Sequence, residues 1–457
     1  MEKRLILALA LSLLVLLSWS TFTTKFYPSA NKQVKSIKPE TLIPKEPPPP
    51  AIPPSLSPQK PVKPEELFTI QQDKYSVVFN ASGASIKEIS FPAYQSSKLS
   101  LDQGFLLKNV ALGFRREDTS EGIVSFVYRD QEKEIIKKFM LSNSNYIILL
   151  DISIENLSAH PLHLNLNLLA TRMDFSVDQN QARFQDLTLA LKDKVLHVNG
   201  RKDINAPSLK FLGWRDRYFC GIIEPQVNDY SAFINKLNNH ASEISLASQE
   251  IVVPTQQKIT QQFRIYLGPQ ELSIIKNLNS SWTAVVYYGT FDFIARILTG
   301  LLSALYGLVH NWGWAIVLLS IAIYILLYPL TLKQMRSMKQ MQVLQPRIEE
   351  LRKSYKDNPQ KLNKAIMDLY REHKVNPLGG CLPMILQIPI FFALYQVLLR
   401  SVALKGANFL WIKDLSEPDK LFTLPNTLPI IGNEVNILPI LIYRYVYPTK
   451  DLYHSYN

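Results

Sequence analysis

The sequence predicts an α-helical integral membrane protein with a large all-β sandwich domain on one side of the membrane and a cytoplasmic helical hairpin on the other. Three observations carry this reading. Apolar runs of membrane-spanning length lie at 314–330 and 382–399. Short segments rich in β-branched and aromatic residues fill 68–267. Between the two apolar runs lies a polar, strongly basic stretch with helical periodicity.

Taken in order, Met1-Glu2-Lys3-Arg4 and the apolar run 5–19 form a basic end and hydrophobic region of signal type. No small-x-small cleavage site follows, so an uncleaved signal anchor is expected over 1–23. Residues 24–67 form a linker, with eleven prolines between 39 and 64. That composition cannot build a helix or a packed core and favours an extended spacer. The β domain is expected over 68–270, with strands at 75–79, 123–128, 146–150 and the strictly alternating 163–168. Little chemistry is visible in it. His160 and His163 are three apart, but no Cys, Asp or Glu stands at ligand spacing beside them. Acidic residues are scattered without the pairing of a glycosidase, so the domain reads as a binding or scaffold module. Only Cys220 and Cys381 occur, which excludes a disulfide framework and a zinc site of paired CxxC type.

A linker and interfacial amphipathic helix follow over 271–310, with Arg296 and His310 marking the helix ends. A spanning helix is expected over 311–331, with Pro329 near its end and Ser320 and Tyr324 four apart on one face. Residues 332–375 form the hairpin. Met341, Leu344, Ile348, Leu351 and Tyr355 step by three and four, Lys356 to Pro359 break the helix, and Leu362, Ile366 and Leu369 resume the stripe. The hairpin holds eleven Lys/Arg against five Asp/Glu, and this excess assigns it to the cytoplasm. The amino end is then inside and the β domain outside. Ribosomal RNA is the rival partner for the same cations. The second spanning helix, 376–399, carries Pro383, Pro389 and a buried-looking Gln387. A polar side chain at that depth is expected to face protein or a watery cavity. An outer loop covers 400–435, and the apolar part of 436–457 is too short to span.

Several motifs resemble the YidC/Oxa/Alb membrane protein insertases. They are Tyr328-Pro329-Leu330-Thr331, the segment MQVLQPRI at 341–348, VNPLGGCLPMILQIP at 375–389, and Phe391-Phe392-Ala393-Leu394-Tyr395. The large β domain behind one anchor is similar to the Gram-negative branch, as is Phe211-Leu212-Gly213-Trp214 with Tyr218-Phe219. The resemblance reaches to about Leu441 and implies a non-enzymatic insertase and chaperone of the bacterial inner membrane, with a periplasmic β domain and no cofactor. Implied partners are nascent membrane proteins, the lipid bilayer, the Sec translocon and the ribosome, with no small-molecule substrate. Ser320, Tyr324, Gln387 and Tyr395 would line a hydrophilic groove. Lys333, Arg336, Lys339, Arg347, Arg352, Lys353, Lys361, Lys364 and Arg371 would meet client or ribosome from the hairpin. A membrane tether presenting the β domain is the alternative.

Two departures stand out. Tyr324 occupies the position where many members carry a basic groove residue, so capture of acidic tails by charge is not carried over. After Leu441 the sequence leaves the family pattern, which reads as a frameshifted or truncated frame holding two of five groove helices.

Overall fold

The computed structural model describes residues 66–446 apart from 111, 176–181, 228–229, 239, 357, 374, 376–381 and 429–431. The signal anchor, most of the proline-rich linker, Cys381 and the tail beyond 446 lie outside the described residues.

Alternation builds the β domain as expected from pattern, because each strand buries one face. Nine antiparallel strands form the main sheet. Its spatial order is Val195–Val198, Asp186–Leu191, Leu209–Arg215, Phe219–Pro225, Lys258–Pro269, Ile147–Asn156, Lys133–Leu141, Ile123–Arg129 and Arg115–Ser120. A four-stranded sheet (Leu67–Gln71, Ser76–Asn80, Ser85–Phe91, Ser97–Gly104) and a five-stranded sheet around Ala241–Ser248 and Asn167–Asp174 cover it. Phe139 and Phe263 both register on Leu150, so all three side chains point to one face of the main sheet. Phe79 of the four-stranded sheet meets Phe139 with ring centroids 5.3 Å apart. Tyr230 of the five-stranded sheet meets Phe263 at 5.2 Å. Both smaller sheets therefore share that face, and one core runs through all three.

The strand expected at 163–168 is instead split. Leu162–Leu164 pairs with Ile251–Val253, while Asn167–Asp174 pairs with Ala241–Ser248. The chain changes partners at Asn165 and Leu166, where the Ser248 hydroxyl accepts from the Leu166 N–H at 2.9 Å. Local alternation fixes the faces of a strand but not which neighbour it pairs with. His163 sits in the first piece, and its Nδ1 lies 3.0 Å from Glu250 Oε1 on the exposed surface. Sequence spacing hid this pair, since the two residues are brought together by strand pairing.

Among the described residues six α-helices follow: α1 (Leu272–Leu278), α2 (Asp292–Val309), α3 (Trp312–Ser354), α4 (Pro359–Glu372), α5 (Leu382–Arg400) and α6 (Ile437–Val446). Before α6, Lys420–Leu428 and Gly432–Asn436 form a hairpin within the segment expected as a loop. Asp419, 6% exposed, accepts from the Ile437 and Leu438 N–H groups at 2.9 and 2.8 Å and caps α6. The largest revision concerns α3. The segments expected as a spanning helix and as the first arm of the hairpin are one helix of 43 residues, running through Pro329 and Pro346. A proline costs about 3 kcal/mol in a helix interior. Ending the helix within hydrocarbon would expose several backbone groups at several kcal/mol each, so continuing is the cheaper solution.

Candidate functional site

The N-terminal end of α3 is clamped. The Asn311 side chain accepts from Trp314 N at 3.2 Å, and its own amide donates to the Asn408 carbonyl at 3.3 Å. Gly313 meets the Phe409 ring so closely that a Cβ there would stand 2.1 Å from two ring carbons. Trp314 closes on the same ring edge-to-face at 5.4 Å. From this clamp to Leu332 the helix carries no charge, about 31 Å at 1.5 Å per residue. By length and composition α2 and α3 are each able to cross a membrane, although the sequence reading laid α2 in the interface.

Three helices meet around alanine, leucine and valine side chains. Ala295, Leu298 and Leu302 of α2, Ala315 and Leu319 of α3, and Ala393 and Val397 of α5 are buried together. Every groove residue read from the sequence lies off this contact. Tyr324 is 62% exposed and Tyr395 44%, and Ser320 and Gln387 are also exposed. The buried-looking Gln387 is thus corrected: Ala393 and Val397 mark the inward face of α5, and Gln387 is turned well away from it. With Phe391 and Tyr395 it forms a row of four-residue steps on the outer side. Ser320 Oγ donates to the Ile316 carbonyl at 2.9 Å, so its proton is used within its own helix and its oxygen remains as an acceptor. Among the described residues no hydrogen bond or ring contact joins the α3 pair to the α5 pair. Around them Ile325, Leu326, Phe391 and Phe392 are exposed, an apolar surface suited to lipid.

The hairpin closes as its stripe implied. Leu344 and Ile348 of α3 bury against Leu369 of α4 and Val375, flanked by Met341, Leu351, Ile366 and Tyr370. Asn358 caps α4 by accepting from Lys361 N at 3.1 Å, and Pro359 takes the first helical position. Tyr355, expected on the seam, is instead the C-cap of α3 and 37% exposed, because the helix ends there. All nine expected contact cations are exposed. Arg371 stands 4.0 Å from Asp368, the one ion pair these nine form among the described residues, and Arg347 Nη1 lies 3.2 Å from His373 Nε2.

Sequence reasoning singled out Trp214, Tyr218 and Phe219 without finding what they do. Trp214 is buried over Gly221, and Phe219 stacks on Phe91 at 4.4 Å. The turn between their strands is tied by Asp216, whose carboxylate accepts from the Tyr218 and Phe219 N–H groups, each at 2.7 Å. Burial pushes Asp216 up to about 6, against the pull of those two N–H groups. Arg217, at the tip, reaches the helices. Its Nε donates to the Leu399 carbonyl at 2.9 Å, one of the unpaired carbonyls ending α5, and its guanidinium lies 4.7 Å from the Tyr218 ring. Lys405 covers the same ring at 5.1 Å. No local signal marks Arg217, since its partner is 182 residues away. Arg217→Ala is expected to speed amide exchange at 396–402 about tenfold, corresponding to one lost hydrogen bond of ~1.4 kcal/mol. Unchanged exchange there sinks the assignment.

The 60Kd inner membrane protein family matches residues 304–454, and the YidC periplasmic domain family matches residues 108–301. The first match continues past Leu441, where the resemblance read from sequence stopped. The membrane protein insertase YidC of Pelobacter propionicus is 30% identical over 97% of this chain and 88% of its own length. That of Geotalea daltonii is 28% identical over 93% of this chain and 87% of its own. A crystal structure described as an active YidC insertase with the first transmembrane domain resolved is 20% identical, covering 85% of this chain and 81% of its own, at a TM-score of 0.33.

Proposed function

Because the chain belongs to the YidC family of membrane protein insertases, we propose that Ser320, Tyr324, Gln387 and Tyr395 line the path by which client helices enter the lipid. The protein inserts newly made proteins into the bacterial inner membrane and assists their folding. In this reading α3 and α5 cross the membrane with the β domain in the periplasm and the hairpin in the cytoplasm. The hairpin cations, Lys333 to Arg371, receive the client or the ribosome, and the protein works alone or with the Sec translocon. The observation that carries the reading is α3 itself. One unbroken helix joins a charge-free, membrane-length half bearing Ser320 and Tyr324 to a strongly basic half.

The energetics suit a device without a fuel. A client helix of about twenty leucine-like residues gains roughly 10 kcal/mol on insertion at about −0.5 per residue. Its obstacle is the polar tail, since a charge at the bilayer centre costs at least about 3 kcal/mol. Polar groups reaching part of the way across lower that barrier, after which the helix moves sideways into lipid.

The test uses the full chain in proteoliposomes and two single-span clients that differ by one acidic residue in the translocated tail. The triple variant Ser320→Ala, Tyr324→Phe, Gln387→Leu is expected to slow the acidic-tail client at least about tenfold, ~1.4 kcal/mol of barrier. The neutral-tail client should change little. Equal slowing of both, or of neither, overturns the assignment of these residues.

A further inference from the structure

The continuity of α3 extends the proposed client path beyond the membrane. Measured from Ser320, steps of four, seven, four and three reach Tyr324, Thr331, Met335 and Met338, all on one face of a single helix. Met335 is 62% exposed and Met338 46%. The hairpin seam does not use them: Leu344, buried against α4, lies nine residues and about two and a half turns from Met335, on the opposite side. Leu326, 74% exposed, is also half a turn away, so the methionine face is not the face of the exposed leucine. Lys339 stands exposed beside it, one turn on from Met335.

We infer that Met335 and Met338 form a docking strip for the apolar helix of a client, before it meets Ser320 and Tyr324. The inference rests on the insertase reading and adds to it the first point of apolar contact. Two features select this occupant. The strip is continuous with the face assigned to client passage, and the adjacent Lys339 complements an acidic residue beside a client's apolar helix. Methionine suits the task. Its unbranched, polarizable side chain adapts to apolar surfaces of different shape, whereas β-branched side chains fix one geometry. Clients share hydrophobicity rather than sequence, so adaptability matters more than close fit. Four residues of helix span only about 6 Å, so a client leaving Met335 meets Thr331 directly.

The experiment places a photo-crosslinking phenylalanine at position 335, 338 or, as control, 340 of the full chain in vesicles of phosphatidylethanolamine and phosphatidylglycerol. Ribosomes carry a stalled client whose apolar helix is just exposed. Crosslinks to the client are expected at 335 and 338, about fivefold above position 340. Met335→Gln with Met338→Gln should lower insertion about fivefold, while Met335→Leu with Met338→Leu should keep at least half of it. Equal client crosslinks at 335 and 340 overturn the inference. So do crosslinks to lipid, ribosome or a second copy alone, or full insertion by the glutamine variant. If the unsubstituted protein inserts no more than protein-free vesicles, the insertase reading itself fails, which the control shows separately.

Discussion

Lys137→Met is expected to abolish a rise in stability with pH that the native β domain shows between about pH 7 and 10. Lys137 is fully buried in the strand Lys133–Leu141. Its ammonium donates to the Ala84 carbonyl and, at 2.6 Å, to the Phe105 carbonyl. Both acceptors belong to residues in the left-handed region, with φ of 45° and 66°, so one side chain steadies two strained turns. Burial pushes the Lys137 ammonium down to about 7 from its ordinary 10.5. Between those values the unfolded chain holds one more proton than the folded one, so stability increases as pH rises. The contribution is complete above the unfolded value and is lost as pH falls toward 7. At ~1.4 kcal/mol per unit, the native chain should gain about 3 kcal/mol on the methionine variant between pH 7 and 9.5. Amide exchange at 133–156, taken as the ratio of variant to native chain at each pH, measures this. A ratio that stays constant with pH contradicts it.

Gly313→Ala should destabilise the N-terminal end of α3, although alanine is the better helix former by about 1 kcal/mol. The sign turns on Phe409. A Cβ placed 2.1 Å from ring carbons demands that the ring or the helix move, and such overpacking costs about 1–3 kcal/mol beyond the propensity gain. The ring has little freedom, because Phe409 exchanges backbone hydrogen bonds with Ile412, both at 2.9 Å, and packs against Trp314. A thermal midpoint several degrees lower is expected for the detergent-solubilised chain. In a Phe409→Ala background the same substitution should become neutral or stabilising, leaving only helix propensity. Additive losses in the double variant would place the cause elsewhere.

Local rules account for much of what was legible. The strands around 76–80, 123–129 and 147–156 follow from alternation, and the hairpin seam from three- and four-residue steps, because both depend on which face of a short element meets water. Pro359 and Asn358 announced the start of α4 for similarly local reasons. Other features were hidden. Pro329 signals a helix end in water, yet α3 runs through it, as it would where unpaired backbone faced lipid. Gln387 looked buried because polarity within an apolar run suggests an interior, yet which face of α5 turns inward depends on where α2 and α3 lie.

By itself, then, the sequence determined the class of the protein: a β domain, membrane-length helices and a basic hairpin, each written as a periodicity or a charge excess. It also carried the motifs that mark the insertase family. Only the tertiary structure decided that Arg217 ends α5, that Gly313 must admit Phe409 and that Lys137 holds two distant turns. Periodicity records how a residue relates to solvent within its own element. Contacts between residues far apart in the chain arise from how elements pack, and no local pattern encodes them.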